Sequence, residues 1–163
     1  MLTIEKKSLN VGKFVSTEHV DSVIRNYKQE RWIQNSERLG KEDSLSAWWS
    51  IEELENFLET AKMHGADGVK FYFGAYAKDY AEKPEYAGLQ TLAMVATKQK
   101  EGAYGTTVNK DVYVNGENGT NILGYNAAQL CPPLCGKTIF DDTDATEIGI
   151  SIIDRGDAGM VII

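Results

Sequence analysis

An α+β fold, with two N-terminal helices packed on a largely antiparallel sheet, follows from three observations. Residues 48–98 carry one sharply bounded amphipathic helix and then two strand patterns. The texture changes at residue 101, beyond which lie 9 of the 15 glycines and many asparagines, the signature of short strands joined by tight turns. Helical patterns are confined to the first part of the chain, so strand pairs with short links replace the alternating units of a parallel sheet.

The central helix is the best-defined element. Ser50 and Glu53 form a capping box, Ile51, Leu54, Phe57, Leu58 and Ala61 recur on one face, and Gly65 supplies the left-handed residue that ends the helix. Two tryptophans precede it. Trp48 and Trp49 cannot face the same side of an extended chain, so one packs against the first turns of the helix while the other is left for a second surface.

Upstream, residues 1–15 alternate loosely and suggest a short edge strand, and Ser16 or Thr17 caps a helix that runs to about Arg38. Its apolar stripe, Val20, Val23, Ile24 and Tyr27, continues at helical spacing into Arg31, Gln34 and Arg38, so the face turns polar. Either the helix breaks near residue 30 or its second half meets a different surface. Tyr27, Arg31, Trp32 and Arg38 then read in one of two ways, as a site for an anionic or planar ligand or as a helix end projecting past the core with Trp32 under a loop.

Downstream, Val69, Phe71, Phe73 and Ala75 alternate with Lys70, Tyr72, Gly74 and Tyr76, which predicts a strand with the first set toward the core and a bulge or close approach at Gly74. Thr91–Thr97 is apolar on both faces, which implies a central strand. The connection 77–90 is long for a hairpin, and its Tyr80 and Tyr86, with Tyr76 at its base, serve either as a binding surface or as pins for the loop itself. Strands at 111–114 and 120–125 flank an Asn-Gly-Glu-Asn-Gly turn. The terminal Met160-Val161-Ile162-Ile163 reads as a last strand pairing with 148–153, or else as a docking tail.

Length and composition frame these elements. The 163 residues fit one domain over 1–163, made of an N-terminal helix and connector (1–47), a helix–strand–strand core (48–98) and an acidic, Gly/Asn-rich β part (99–163). Residues 1–100 hold 14 Lys/Arg and 15 Asp/Glu, whereas residues 101–163 hold 3 and 9, so nearly all of the net −7 lies in the second part. That part repels phosphate backbones and argues against nucleic acid as a partner. No apolar run approaches the roughly 20 residues of a membrane span. The cytoplasm is the expected compartment, a reading that two cysteines four residues apart fit better than they fit a disulfide framework.

Signatures of chemistry fail on inspection. Gly136-Lys137-Thr138 ends like a phosphate-binding loop, but Cys131 stands where the first glycine belongs and Pro132 and Pro133 remove N–H groups from the cradle. Cys131 and Cys135 supply half a zinc ligand set, and neither metal nor cofactor is expected. As a thiol pair they differ from Cys-x-x-Cys in spacing, and a rigid turn with two buried thiols is the plainer account. Asp142, Asp144 and Thr146 open like a calcium loop, yet Glu147 and Ile153 occupy its required glycine and glutamate positions. His19 and His64 are the only histidines, so acid–base chemistry near neutral pH has few actors, and both are expected in terminal helical turns.

At Tyr72-Phe73-Gly74-Ala75-Tyr76, Gln90-Thr91-Leu92 and Leu130-Cys131-Pro132-Pro133 the chain resembles a group of small uncharacterised bacterial proteins, over residues 45–136. No activity is established for that group, so the resemblance implies no function and no site. The residues themselves favour a non-enzymatic protein-binding or regulatory module, for instance an acidic inhibitor of a basic partner, using the 77–90 loop and the exposed member of the tryptophan pair. A homo-oligomer is compatible with it. The alternative is a small-molecule-binding or thiol-redox protein built on Cys131, Cys135 and the polar end of the first helix.

Overall fold

Ser16 is extended, and its hydroxyl accepts from the N–H of His19, starting the first helix where the sequence places it. The computed structural model describes residues 10–135, together with the backbone of Ile152–Asp154 and Met160–Ile162. Residues 10–15 form no strand. Helix α1 (Thr17–Tyr27) passes into a π-helical turn at Lys28–Trp32 and on into α2 (Ile33–Leu39), which Gly40 ends at φ +72°. The alternative of a break near residue 30 is thus not realised, and the helix runs on through the π-turn without interruption. Its wider i→i+5 turn admits an extra residue, so the stripe of Val23 and Tyr27 continues through Arg31, Asn35 and Arg38, with Asn35 in line where regular spacing predicts Gln34.

The third helix, α3 (Ile51–Met63), has both halves of the capping box. The Ser50 hydroxyl accepts from the Glu53 N–H at 3.1 Å, and the Glu53 carboxylate accepts from the Ser50 N–H at 2.9 Å. Gly65, at φ +80°, follows its end. Phe57 and Ala61 are buried and Leu54 packs against them, whereas Ile51 and Leu58 are exposed. The helix therefore covers the sheet with a narrower stripe than its sequence offers.

Six of the strands build the main sheet and a hairpin that leaves it. β1 (Ser46–Trp48) precedes α3 and is part of a separate pair. β2 (Gly68–Ala75) pairs antiparallel with β3 (Gln90–Glu101) in unbroken register from Gly68↔Thr97 to Ala75↔Gln90, so Gly74 makes no bulge. On its other side β3 pairs with β4 (Thr107–Asp111) and with β7 (Gly124–Tyr125), confirming its central position. Between β4 and β7 the chain leaves as the hairpin β5 (Tyr113–Gly116) and β6 (Gly119–Ile122). A backbone triangle closes its base: Val112 donates to Ala96, Ala96 to Leu123, and Leu123 to Val112. β8 (Gln129–Cys131) pairs with β1.

The core gathers Trp49, Phe57, Tyr86, Leu89, Met94 and Leu130 under α3 and the β1–β8 pair. One expectation is corrected here. Phe71 and Phe73 share a face with Met94 and Leu92, yet they stand 49% and 84% exposed, because α3 packs on β3 and the first helix faces Phe73 only across an open space. At the far end of the chain, β9 (Ile152–Asp154) pairs antiparallel with β10 (Met160–Ile162), so the terminal residues do form a last strand, whereas residues 148–151 of the expected partner lie outside the described residues. The acidic stretch 141–147, with the opening of the calcium-like loop, lies outside the described residues.

Backbone and hydroxyl hydrogen bonds from Ser50, with a further one from Tyr125, hold the Glu53 carboxyl below its ordinary value of 4.5. A depressed carboxylate contributes stability above its unfolded pKa, and that contribution is lost as pH falls through the folded value. Urea unfolding followed from about pH 6 to about pH 3 should therefore show a smaller loss of stability in Glu53→Gln, which keeps the cap geometry without the charge, than in the unsubstituted protein.

Candidate functional site

Asp43 is 2% exposed, and a carboxylate so buried must be surrounded by donors. One oxygen accepts from the N–H groups of Ser44 and Gln90, each at 2.8 Å, and the other from the Asn35 amide at 3.2 Å. Its carbonyl accepts from the Trp32 indole at 2.7 Å, and its own N–H donates to the Ser36 hydroxyl at 2.9 Å. The residue ties the π-turn and α2 to the first residue of β3. Beside this knot the Tyr27 hydroxyl donates to the Gln90 side chain, and the Ser44 hydroxyl donates to the Gln90 carbonyl.

These bonds hold the helix at the sheet without filling the space between them. A cleft of about 610 Å³ opens there, walled by Tyr27, Arg31, Asn35 and Arg38 on the helical side and by Phe73, Gly74 and Ala75 on the other, with Gln90 and Gly88 in its floor. It adjoins an apolar hollow of about 360 Å³ between Val23 and Ile24 of α1 and Phe73, Leu92, Leu45 and Ala47. Such volumes are typical of ligand sites. α1 contributes no buried residue to the core, and its apolar stripe instead lines this space.

The cleft is cationic at one end. Among the described residues neither Arg31 nor Arg38 is in an ion pair. Burial, and next the charge of Asp43, push the Tyr27 phenol above its ordinary 10.0, while hydrogen bonds with Asn35 and Gln90 and the charge of Arg31 pull the other way. Tyr27 thus remains a neutral donor. Asp43 spends its charge on its own donors and faces the cleft as a closed structural unit.

The other sequence-predicted site residues lie elsewhere. Trp32 follows Arg31 but turns to a separate hollow with Lys41, Glu85 and Pro132, since successive residues of a helical turn point in different directions around its axis. Trp49 is buried, donating to the Asn126 carbonyl at 3.2 Å, and Trp48 is the exposed member of the pair at 59%. The tyrosines of the 77–90 loop pin it. Tyr76 stacks on Tyr80 at 4.4 Å and on Tyr86 at 5.9 Å, and Tyr86 is 1% exposed with its hydroxyl accepting from the Leu130 N–H at 3.1 Å.

Cys131 and Cys135 are joined, with 4.5 Å between their Cα atoms, around two cis prolyl bonds. The expected pair of buried thiols is thus a disulfide whose Cys131 is half-buried and whose Cys135 is exposed. The bond also removes the cysteine argument for a reducing compartment, since disulfides persist where the surroundings oxidise. Among the described residues no helix is long and apolar enough to cross a membrane, and no three His, Cys, Asp or Glu side chains gather around a metal-sized space.

The residues that sequence reasoning missed are Asp43, Asn35, Gln90 and Phe73. Only Asn35 left a signal, through the polar turn of the helix stripe. No family model, curated protein or solved structure matches this chain, so its class rests on its own architecture, an α+β protein with an antiparallel sheet whose β2 edge is unpaired among the described residues and a cationic cleft beside that strand.

Removing the knot should loosen the helix. Asp43→Ala strands two backbone N–H groups and the Asn35 amide, and should cost about 3 kcal/mol in urea unfolding. Asp43→Asn, which keeps one accepting oxygen, should cost less.

Proposed function

We propose that this protein is a non-enzymatic binding module that takes an extended segment of a protein partner as an added strand on β2. The observation that carries the reading is the run Phe71–Ala75, five consecutive exposed residues on a strand that pairs on one side only among the described residues. Edge strands are ordinarily defended by charge, proline, a bulge or a covering element. This run has none of the first three, and it presents Phe73, Tyr72 and Phe71 to solvent. An added strand supplies main-chain partners along the edge and sends alternate side chains into the neighbouring hollow, the usual division between affinity and specificity in strand addition. The form of the reading in which the acidic C-terminal part inhibits a basic partner draws on charge distribution alone.

A phage-displayed library of random linear peptides tests it. Enriched peptides should slow amide exchange across 71–75, and Phe73→Asp should weaken them at least about tenfold with an unchanged unfolding midpoint, because the side chain is exposed. Absence of enrichment sinks the reading. So does a dimer whose loss in Phe73→Asp shows that a second copy of the chain occupies the edge.

The exposed disulfide favours one second reading, thiol exchange at Cys131 and Cys135. Their ring is short, and chain-entropy reasoning assigns its closure about 2 kcal/mol at most. Unfolding of the oxidised protein and of Cys131→Ser/Cys135→Ser should differ by no more than that. An exchange role further requires the bond to equilibrate with a glutathione redox buffer, and a bond that stays closed throughout such a titration removes it.

A further inference from the structure

We infer that the segment bound along β2 carries a carboxylate, which Arg31 and Arg38 hold at the Ala75 end of the cleft. This rests on the strand-addition reading and adds the chemistry of the ligand to it. The two arginines stand about 10 Å apart along the helix axis and line the same cleft, so their long side chains can converge on one group between them. Neither has an ion pair among the described residues. A guanidinium presents a planar fork of donors that matches a carboxylate with two parallel hydrogen bonds.

Local charge decides between anions. Two guanidinium groups beside the buried Asp43 carboxylate leave one net positive charge, which a single carboxylate balances. A phosphate, with close to two charges at neutral pH, leaves an excess of negative charge beside the buried Asp43. The layout of the cleft sets the rest of the ligand. The apolar hollow formed by Val23, Ile24 and Leu92 adjoins the cationic end across Phe73, so the ligand places an apolar side chain at a fixed spacing from the acid. β2 runs from Gly68 toward Ala75, so a free C-terminal carboxylate reaches the arginines only when the added strand runs parallel to β2. An internal Asp or Glu reaches them in either direction.

The test uses the full chain and the peptides enriched from the random library. An acid at fixed spacing from an apolar residue should recur among them. Arg31→Ala and Arg38→Ala should each weaken binding about tenfold or more, Arg38→Lys should recover part of that loss, and binding should weaken as salt rises. Replacing the recurring acid by its amide, or amidating the peptide terminus, tells a side-chain carboxylate from a chain end, and one of the two must abolish the response to the arginine variants. Peptides that protect 71–75 and are lost in Phe73→Asp, yet lack an acid and ignore both arginine variants, overturn the carboxylate and leave strand addition standing. A library without enrichment overturns both. Preference for a phosphorylated form of an enriched peptide over its acidic form assigns the arginines to phosphate and overturns the inference as stated.

Discussion

The position of the N-terminal helix depends on Asp43. Helix α1 buries no residue of its own, so the packing that fixes most surface helices is weak here, and directional bonds replace it. A buried carboxylate suits that task because each donor it loses costs far more than an average hydrogen bond contributes. Asn35, Ser36 and Trp32 on the helical side and Ser44 and Gln90 on the sheet side meet through this one residue. A cleft can persist beneath the helix because the helix is held at one end by a knot instead of along its length by interdigitated side chains.

The same economy explains the edge strand. α3 and the β1–β8 pair cover β3, and the third layer of a larger protein, which would cover β2, is supplied neither by α1 nor by the 77–90 loop. The loop spends its tyrosines inward, stacking Tyr76, Tyr80 and Tyr86 and tying Tyr86 to the β8 backbone. Aromatic surface that sequence alone offers for recognition is thereby consumed in the fold, and the strand whose aromatics sequence assigns to the core is the one left open. The two groups exchange roles.

What could be read in advance was local. The capping box, the left-handed glycine after α3, the central position of β3 and the hairpin around residues 115–119 each depend on residues within a few positions of one another or on a period of two or 3.6. The polar turn of the first helix was legible too, although the π-turn moved its line from Gln34 to Asn35 by one residue. Alternation in β2 identified the correct face and could not say whether anything covered it, since coverage depends on how far the helices extend in space. Asp43 was invisible for a similar reason. Its partner Gln90 lies 47 residues away, and a lone aspartate in a polar connector carries no pattern.

The backbone triangle at Ala96, Val112 and Leu123 makes β4 and β7 two halves of one interrupted strand, with Ala96 as the seam. Everything beyond it, residues 113–122, hangs from the sheet by a closed neck. The register of β3 with β4 and β7 is set on either side of that neck and does not involve residues 113–122. The molecule is in this sense modular within a single sheet. One edge is interrupted and closed at its base, while among the described residues the opposite edge is continuous and pairs on one side only.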